Sequence, residues 1–393
     1  MRKSKKQQAK ANAAQEREFE RLYRTIPSGG RSSASKQAMP PLQEPSKPKW
    51  KTAMKRMLII LLILAALSGL WVGWKFVSNS IKVFGWQGIL DLFRTTKLKG
   101  EDEGHVNILL AGNSADDPGH GGAELTDSIM IASINTKDKT GYLLSIPRDL
   151  YVDIPGHGYA KINEAYQDGQ EDKFSESGYA DGGMGLLEKT ISERFGIDFQ
   201  YYALVNYTAL EQSVEAVGGI TVNIESTDPR GLYDPSRDLQ TGGPLVKLPN
   251  GQVALNGRQA LDLARARGHA RGSYGYGQGD FVRTQNQRKV LLGIKDKATS
   301  ITTLSNPVKL GQLLDSLGDN LVTDLRSGEV KRLYQLSKDI PSSKIQSASL
   351  NDADGKNLLD FYTNRSGQST LVPAAGIDDY SEIQAYITKL QGQ

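Results

Sequence analysis

Apolar and polar positions follow three regimes along this chain. Up to residue 56 the apolar residues are sparse and unpatterned; Met57 to Trp74 is a run of eighteen residues without a charge; from His105 onward short apolar runs alternate with helical stripes. An uncharged run of that length crosses a bilayer core of about 30 Å as a helix rising about 1.5 Å per residue. It predicts a single transmembrane helix over 57–74, with the aromatic pair Trp71 and Trp74 at the interface. A cleaved signal peptide fits less well, because 56 residues precede the run and no A-x-A site follows it.

Past the run, residues 75–104 mix apolar and basic positions and read as a juxtamembrane stalk. Val106 to Gly112, Ser128 to Ile134 and Tyr142 to Ile146 are short apolar runs that suit buried strands, the third stopped by Pro147. Gly185 to Phe195 carries Leu186, Leu187, Ile191 and Phe195 at helical spacing. Then follow a strand at Tyr201 to Val205, a helix at Tyr207 to Val217, a strand at Ile220 to Ile224, and helices at Asn256 to about Ala264 and at Arg283 to Ala298. Strands buried on both faces need helices to cover them. The pattern predicts an α/β domain core over 105–300, a central mixed β-sheet flanked by helices. Residues 301–393, with helical patterns at Pro307 to Leu317, Gly328 to Ser337 and Tyr380 to Leu390, complete the same domain.

Charge divides the chain at the same place. Residues 1–56 hold fifteen Lys and Arg against four Glu, a net +11, which leaves −7 for the rest of a chain whose total is +4. A basic flank beside a spanning helix is held in the cytoplasm, so the tail, disordered by composition, is cytoplasmic and the domain extracellular. The acidic remainder is a poor ligand for nucleic acid, and none is expected as a partner. There is no cysteine, which excludes thiol catalysis and disulfides.

Several common sites are absent: no phosphate-loop motif, no H-E-x-x-H, and no G-x-S-x-G, which Arg271 to Gly275 only approaches. Gly275 to Gly279 resembles a glycine fingerprint but follows no strand, and reads as a mobile loop. What remains is a set of arginines and aspartates at element ends. Arg148 emerges just past a strand, the usual place for ligand contact in α/β sheets. Arg265 and Arg267 are two apart, so they share a face only if the helix ends near Ala264. Gly279-Asp280-Phe281-Val282-Arg283 is a glycine loop ending in an acid and a base. Four arginines make planar clamps suited to phosphate oxygens. Asp127, at the mouth of the second strand, suits Mg²⁺, with Asp116 or Asp117 as the second carboxylate; the alternative for these two is that they merely form a turn.

Taken together, Asn107 to Gly112, Thr126-Asp127-Ser128, Ser145 to Asp149, Lys161 to Tyr166, Val217 to Ile220, Leu255 to Leu261, Arg265-x-Arg267 and Asp280-x-x-Arg283 resemble the LytR-CpsA-Psr family over roughly residues 105–300. The resemblance implies a membrane-anchored phosphotransferase outside the cytoplasmic membrane, with an apolar tunnel for a lipid. It would move a glycopolymer, such as teichoic acid or capsular polysaccharide, from a polyprenyl-pyrophosphate carrier to peptidoglycan through a phosphodiester. It further implies that Arg148, Arg265, Arg267 and Arg283 hold the pyrophosphate and that Asp127 binds Mg²⁺. Asp280 would orient the arginines or assist proton transfer, which makes Arg148 and Asp280 the catalytic pair. The chain departs from the family at Leu125, where an arginine is common, and at Ser114, where an aspartate is common. Two further readings share these residues: a polyprenyl-pyrophosphate hydrolase, and a non-catalytic envelope module that binds glycan or lipid or regulates.

Overall fold

The computed structural model describes residues 96–116, 125–237, 243–277, 279–300, 318 and 320–392. The expected transmembrane helix over 57–74, the basic tail, Asp117 and the helical pattern at 307–317 lie outside them. Among the described residues no helix is long and apolar enough to cross a membrane.

In chain order the strands β1 (His105–Asn113), β2 (Thr126–Asn135) and β3 (Thr140–Ile146) come first, followed by the hairpin β4 (Tyr151–Ile154) and β5 (Gly158–Lys161). Helices α1 (Glu164–Glu171) and α2 (Gly183–Phe195), strand β6 (Tyr201–Val205), helix α3 (Tyr207–Ala216) and strand β7 (Ile220–Ile224) come next. Then come β8 (Leu232–Asp234), β9 (Val246–Leu248), β10 (Gly251–Leu255), α4 (Gly257–Arg265) and α5 (Asp280–Ala298). The last part adds β11 (Leu321–Thr323), α6 (Ser327–Asp339), β12 (Ile345–Ser349), the hairpin β13 (Leu359–Thr363) and β14 (Ser369–Pro373), and α7 (Ser381–Gln391).

Six strands form the central sheet in the order β11-β6-β1-β2-β3-β12. It is mixed: β1–β6 and β3–β12 are parallel, while β1–β2, β2–β3 and β6–β11 are antiparallel. Its inner strands alternate little in burial, with Leu109, Ile131 and Leu144 wholly enclosed, as expected of a sheet covered on both faces. One core packs the sheet against α2 and α7 through Leu186, Ile191, Phe195, Ile383 and Ile387. A second gathers β7, β10, α4 and Val290 of α5. Both outer strands, β11 and β12, come from beyond residue 300.

The folded unit begins before the expected boundary at His105. Leu98 is buried with Val106, Ile108 and Tyr201, the Lys99 amide donates to the Tyr201 hydroxyl at 2.8 Å, and Glu101 pairs with Arg332. The described end of the stalk therefore packs onto the sheet. The expected glycine loop is likewise anchored, because Tyr276 is buried in the second core.

Candidate functional site: an arginine and aspartate cluster at the mouth of an apolar cavity

The parallel register of β1 with β6, and the antiparallel return of β2 between β1 and β3, bring Val205, Gly112, the start of β2 and the end of β3 to one edge of the sheet. At that edge the ladder between β1 and β2 slips: Gly112 faces Ser128 and Asn113 faces Thr126, so Asp127 is the extra residue of a β-bulge. A bulge re-aims a side chain and frees backbone groups from the ladder. Both consequences are seen here. The Asp127 carboxylate meets the Arg148 guanidinium, and the Asp127 carbonyl accepts from Arg283 Nη2 at 3.2 Å.

Arg148 is delivered by Pro147, which ends β3 and turns the next residue across the sheet edge. Burial works against the Arg148 charge, but Asp127, and behind it Asp149 and Asp280, raise its pKa above the usual arginine value. Asp149 is itself held by Lys161 at 2.6 Å.

Asp280 and Arg283 occupy the first turn of α5, three apart and on one face, with their side chains 2.8 Å apart. Gly279 precedes them at φ +52°, a conformation that an L residue adopts only under strain, so the sharp entry into α5 depends on glycine. Arg283 is only 4% exposed. Burial pushes its pKa down; Asp280 opposes that, while Arg267 and Arg148 add to it.

Helix α4 supplies the remaining two arginines. Its start is a capping box, the Asn256 side chain accepting from the Gln259 amide at 2.9 Å and the Gln259 side chain from the Asn256 amide at 3.0 Å. Its end is abrupt: Arg265 is the last helical residue and Ala266 is extended at φ −67°, ψ 130°. Arg265 lies over the Tyr207 ring, 4.5 Å from its centroid, and Arg267 Nε stands 3.3 Å from Asp280. Tyr207 registers the whole group: burial raises its hydroxyl pKa, Asp127 adds to this, and Arg265, Arg283 and Arg267 oppose it.

Arg148, Arg267, Arg283, Asp127 and Asp280 are thus linked by ion pairs, and Arg265 borders the same cavity as Asp127 and Arg283, so the group carries more positive than negative charge. Two of its donors, Arg148 Nε and Arg283 Nε, are buried and have no hydrogen-bond acceptor. The Nε atoms of Arg194 and Arg237 are unpaired as well, so it is the setting that counts: here the two unpaired donors belong to arginines that both engage Asp127, in a cluster with excess positive charge, which suits an anion.

Next to the cluster opens an apolar cavity of about 140 Å³, with Asp127, Arg265 and Arg283 at its mouth and Leu110, Met130, Leu210 and Leu261 among its walls. Among the described residues a second apolar cavity, about 360 Å³, shares Leu110 and Leu291 with the first and lies between the sheet, α5 and α6. Tyr207, Ser128 and Gln287 were not singled out from the sequence. Gln287 lies one turn beyond Arg283 on the same face of α5, accepts from the Ser128 hydroxyl at 3.0 Å, and donates to the Ala264 carbonyl at 3.1 Å. The spacing of four from Arg283 was the signal available.

Asp116, one of the two residues expected as a second carboxylate, has both oxygens engaged by backbone amides. Its oxygens accept from the amides of Tyr207 at 3.2 Å and Thr208 at 2.6 Å, which makes it a cap for the first turn of α3. Ser114 is wholly buried and its hydroxyl has no partner. Among the described residues no group of three or more His, Cys, Asp or Glu gathers for a metal. Among the described residues Asp127 is the aspartate that borders the apolar cavity, where an ion that takes one protein carboxylate and completes its shell with substrate phosphate and water would sit.

The chain resembles known proteins in the same region. Polyisoprenyl-teichoic acid–peptidoglycan teichoic acid transferase TagU of Oceanobacillus iheyensis is 35% identical over 228 residues, 58% of this chain and 61% of that protein. Regulatory protein MsrR of Staphylococcus aureus is 31% identical over 216 residues, 54% of this chain and 55% of that protein. The chain therefore spans about three fifths or less of the length of these two relatives. Among solved structures, TagT bound to LIIa-WTA superposes with a TM-score of 0.54 at 26% identity, covering 74% of this chain and 91% of that one. The profile of the LytR_cpsA_psr family matches residues 89–371, a stretch that takes in the whole sheet and every member of the arginine cluster, and the chain belongs to that family.

Proposed function

We propose that this protein transfers a glycopolymer from a polyprenyl-pyrophosphate carrier to peptidoglycan, forming a phosphodiester. The observation that carries this reading is the pair of orphaned donors, Arg148 Nε and Arg283 Nε, inside a four-arginine cluster that opens onto an apolar cavity. An anion with a long apolar tail matches both halves of that site. Support also comes from relatives named as teichoic acid transferases and from TagT bound to LIIa-WTA.

In this reading the prenyl tail lies in the apolar cavity and the pyrophosphate lies on the arginines, which neutralise its charge as the bridging bond breaks. A peptidoglycan hydroxyl attacks the phosphorus that carries the glycan. The new O–P bond forms as the bond to the lipid phosphate breaks, and lipid monophosphate leaves. The hydroxyl proton goes to the Asp280 carboxylate, which Arg267 and Arg283 hold in place. No covalent protein nucleophile is needed, since phosphoryl transfer depends on positioning and charge. Mg²⁺ bound by Asp127 and the phosphate oxygens would supply further neutralisation. The uncharged run 57–74 would tether the domain to the bilayer that holds the carrier, with the basic tail in the cytoplasm.

The test is to incubate the full chain with a lipid-pyrophosphate-linked glycan and peptidoglycan, and to follow conjugate and released lipid monophosphate by mass spectrometry. A phosphodiester-linked conjugate is expected. Lipid monophosphate released at the same rate without acceptor, and with no conjugate, would make the protein a hydrolase; binding without release would make it a non-catalytic module.

A further inference from the structure

On the other side of the charged cluster lies a second cleft, of about 170 Å³, lined by Pro147, Asp149, Asp280, Phe281, Phe361 and Leu371 among others. It shares no lining residue with the apolar cavity. The cluster stands between them: Asp127 and Arg283 border the cavity, Asp149 and Asp280 border the cleft, and Arg148 touches Asp127 while its Nε lies 3.8 Å from Asp149.

We infer that this cleft is the subsite for a sugar ring of the acceptor glycan, and that Phe361 is the specificity-determining platform on which that ring stacks. The inference rests on the transferase reading above and adds where the acceptor binds. Three observations carry it.

The first is direction. In phosphoryl transfer the attacking and leaving oxygens lie roughly in line through phosphorus. With the tail in the apolar cavity, the leaving lipid phosphate departs toward that cavity, and the entering hydroxyl comes from a side the cavity does not line; the cleft shares none of the cavity's lining residues and borders Asp280, which makes it such a side.

The second is chemistry. Phe361 is 83% exposed, an unusual state for a phenylalanine on a strand. Its strand neighbour Tyr362 points to the other face and packs on Tyr151, with ring centroids 5.7 Å apart. The Phe361 ring thus offers a flat apolar face beside two carboxylates, Asp149 and Asp280, which only accept hydrogen bonds when ionised. A pyranose ring, with one C–H face and a rim of hydroxyl donors, matches that combination; an anion does not.

The third is rigidity. The β13–β14 hairpin is bound to the turn that carries Arg148: the Leu371 amide donates to the Asp149 carbonyl at 2.9 Å, and Leu150 bridges to Leu371. The platform is therefore held in fixed register with the catalytic arginine, as positioning of an acceptor requires.

The test uses the full chain and its Phe361→Ala and Phe361→Trp variants, with a peptidoglycan glycan fragment as acceptor and a short-chain prenyl-pyrophosphate glycan as donor. Phe361→Ala should raise KM for the acceptor about tenfold, the loss of one packed ring contact, and leave KM for the donor unchanged. Phe361→Trp should keep acceptor KM near that of the wild type. An unchanged acceptor KM in Phe361→Ala overturns the inference, and a raised donor KM instead assigns the cleft to the donor's own sugar and overturns it too. Failure of the transferase reading shows separately, as a wild type that forms no conjugate. In that event, weaker binding of the same fragment to Phe361→Ala than to wild type, by calorimetry, still supports the sugar cleft, and equal or absent binding overturns it.

Discussion

Arg283 Nη2 donates at 3.2 Å to the Asp127 carbonyl, a backbone acceptor that the β-bulge at Asp127 releases from the ladder between β1 and β2. One aspartate thereby serves two arginines, its carboxylate Arg148 and its main chain Arg283. Arg148 uses Nη1 on Asp127, Arg283 uses Nη2 on Asp127 and Asp280, and each leaves its Nε unpaired.

Replacing Arg148 should therefore remove catalysis and leave the fold. Arg148→Ala is expected to lower kcat by roughly 100- to 1,000-fold, the usual cost of one preorganised donor. Arg148→Lys should recover little, since a point charge cannot donate from two sides of a plane. The thermal midpoint should move by no more than a few degrees. Full turnover in either variant would refute the role.

A metal at Asp127 can be tested directly. Binding of Mn²⁺ as a paramagnetic stand-in, followed by electron paramagnetic resonance with a prenyl-pyrophosphate analogue present, should be strong in the wild type and lost in Asp127→Ala. Equal binding in both would remove Asp127 from the metal site.

Ala203, on β6, lines the apolar cavity. Ala203→Phe should fill part of that space and weaken donor binding, more for long prenyl chains than for short ones, with far-ultraviolet circular dichroism unchanged. Overfilling also strains a packed core by about 1–3 kcal/mol, so a modest drop in thermal midpoint is expected alongside. Equal loss for all chain lengths would argue against a tail in this cavity.

Glu188 on α2 is buried, and burial pushes its pKa up to about 7 against the opposing Ala180 amide and the more weakly opposing Lys99. A folded-state value above the ordinary carboxylate range means that the fold binds this proton more tightly than the unfolded chain does. Stability contributed by the protonated form is complete at pH 4, declines as pH rises, and is gone above about pH 7. Glu188→Gln should therefore raise stability at pH 8 by about 1–2 kcal/mol, after allowance for solvent screening, and change little at pH 4. Denaturant unfolding at the two pH values checks this.

Much of this architecture could be read from the sequence, and the reasons are local. The strand at Tyr201–Val205 and the strand at Ile220–Ile224 have the bounds that their apolar runs predict, Asn206 stopping the first and Gly218-Gly219 opening the second. The end of α4 at Arg265 follows from the requirement that Arg265 and Arg267 share a site. The short hairpins β4–β5 and β8–β9 were not located, since strands of three or four residues carry too few alternations to show a period. The bulge at Asp127 was also hidden, because it is a property of pairing with β1 and not of either strand alone. The role of Asp116 changed for a similar reason: its partners, the Tyr207 and Thr208 amides, lie more than ninety positions away.

The sheet order has a consequence for biosynthesis. Residues 105–205 supply the four inner strands, but the flanking strands β11 and β12 lie at Leu321–Thr323 and Ile345–Ser349. Until those residues emerge, the nascent sheet presents two raw edges, each able to recruit a strand from another chain. Closing them late also requires contacts between distant parts of the sequence, which slows folding. A chain interrupted near residue 300 would retain every residue of the arginine cluster and still be an aggregating species, so translation through to β12 is what makes the domain soluble.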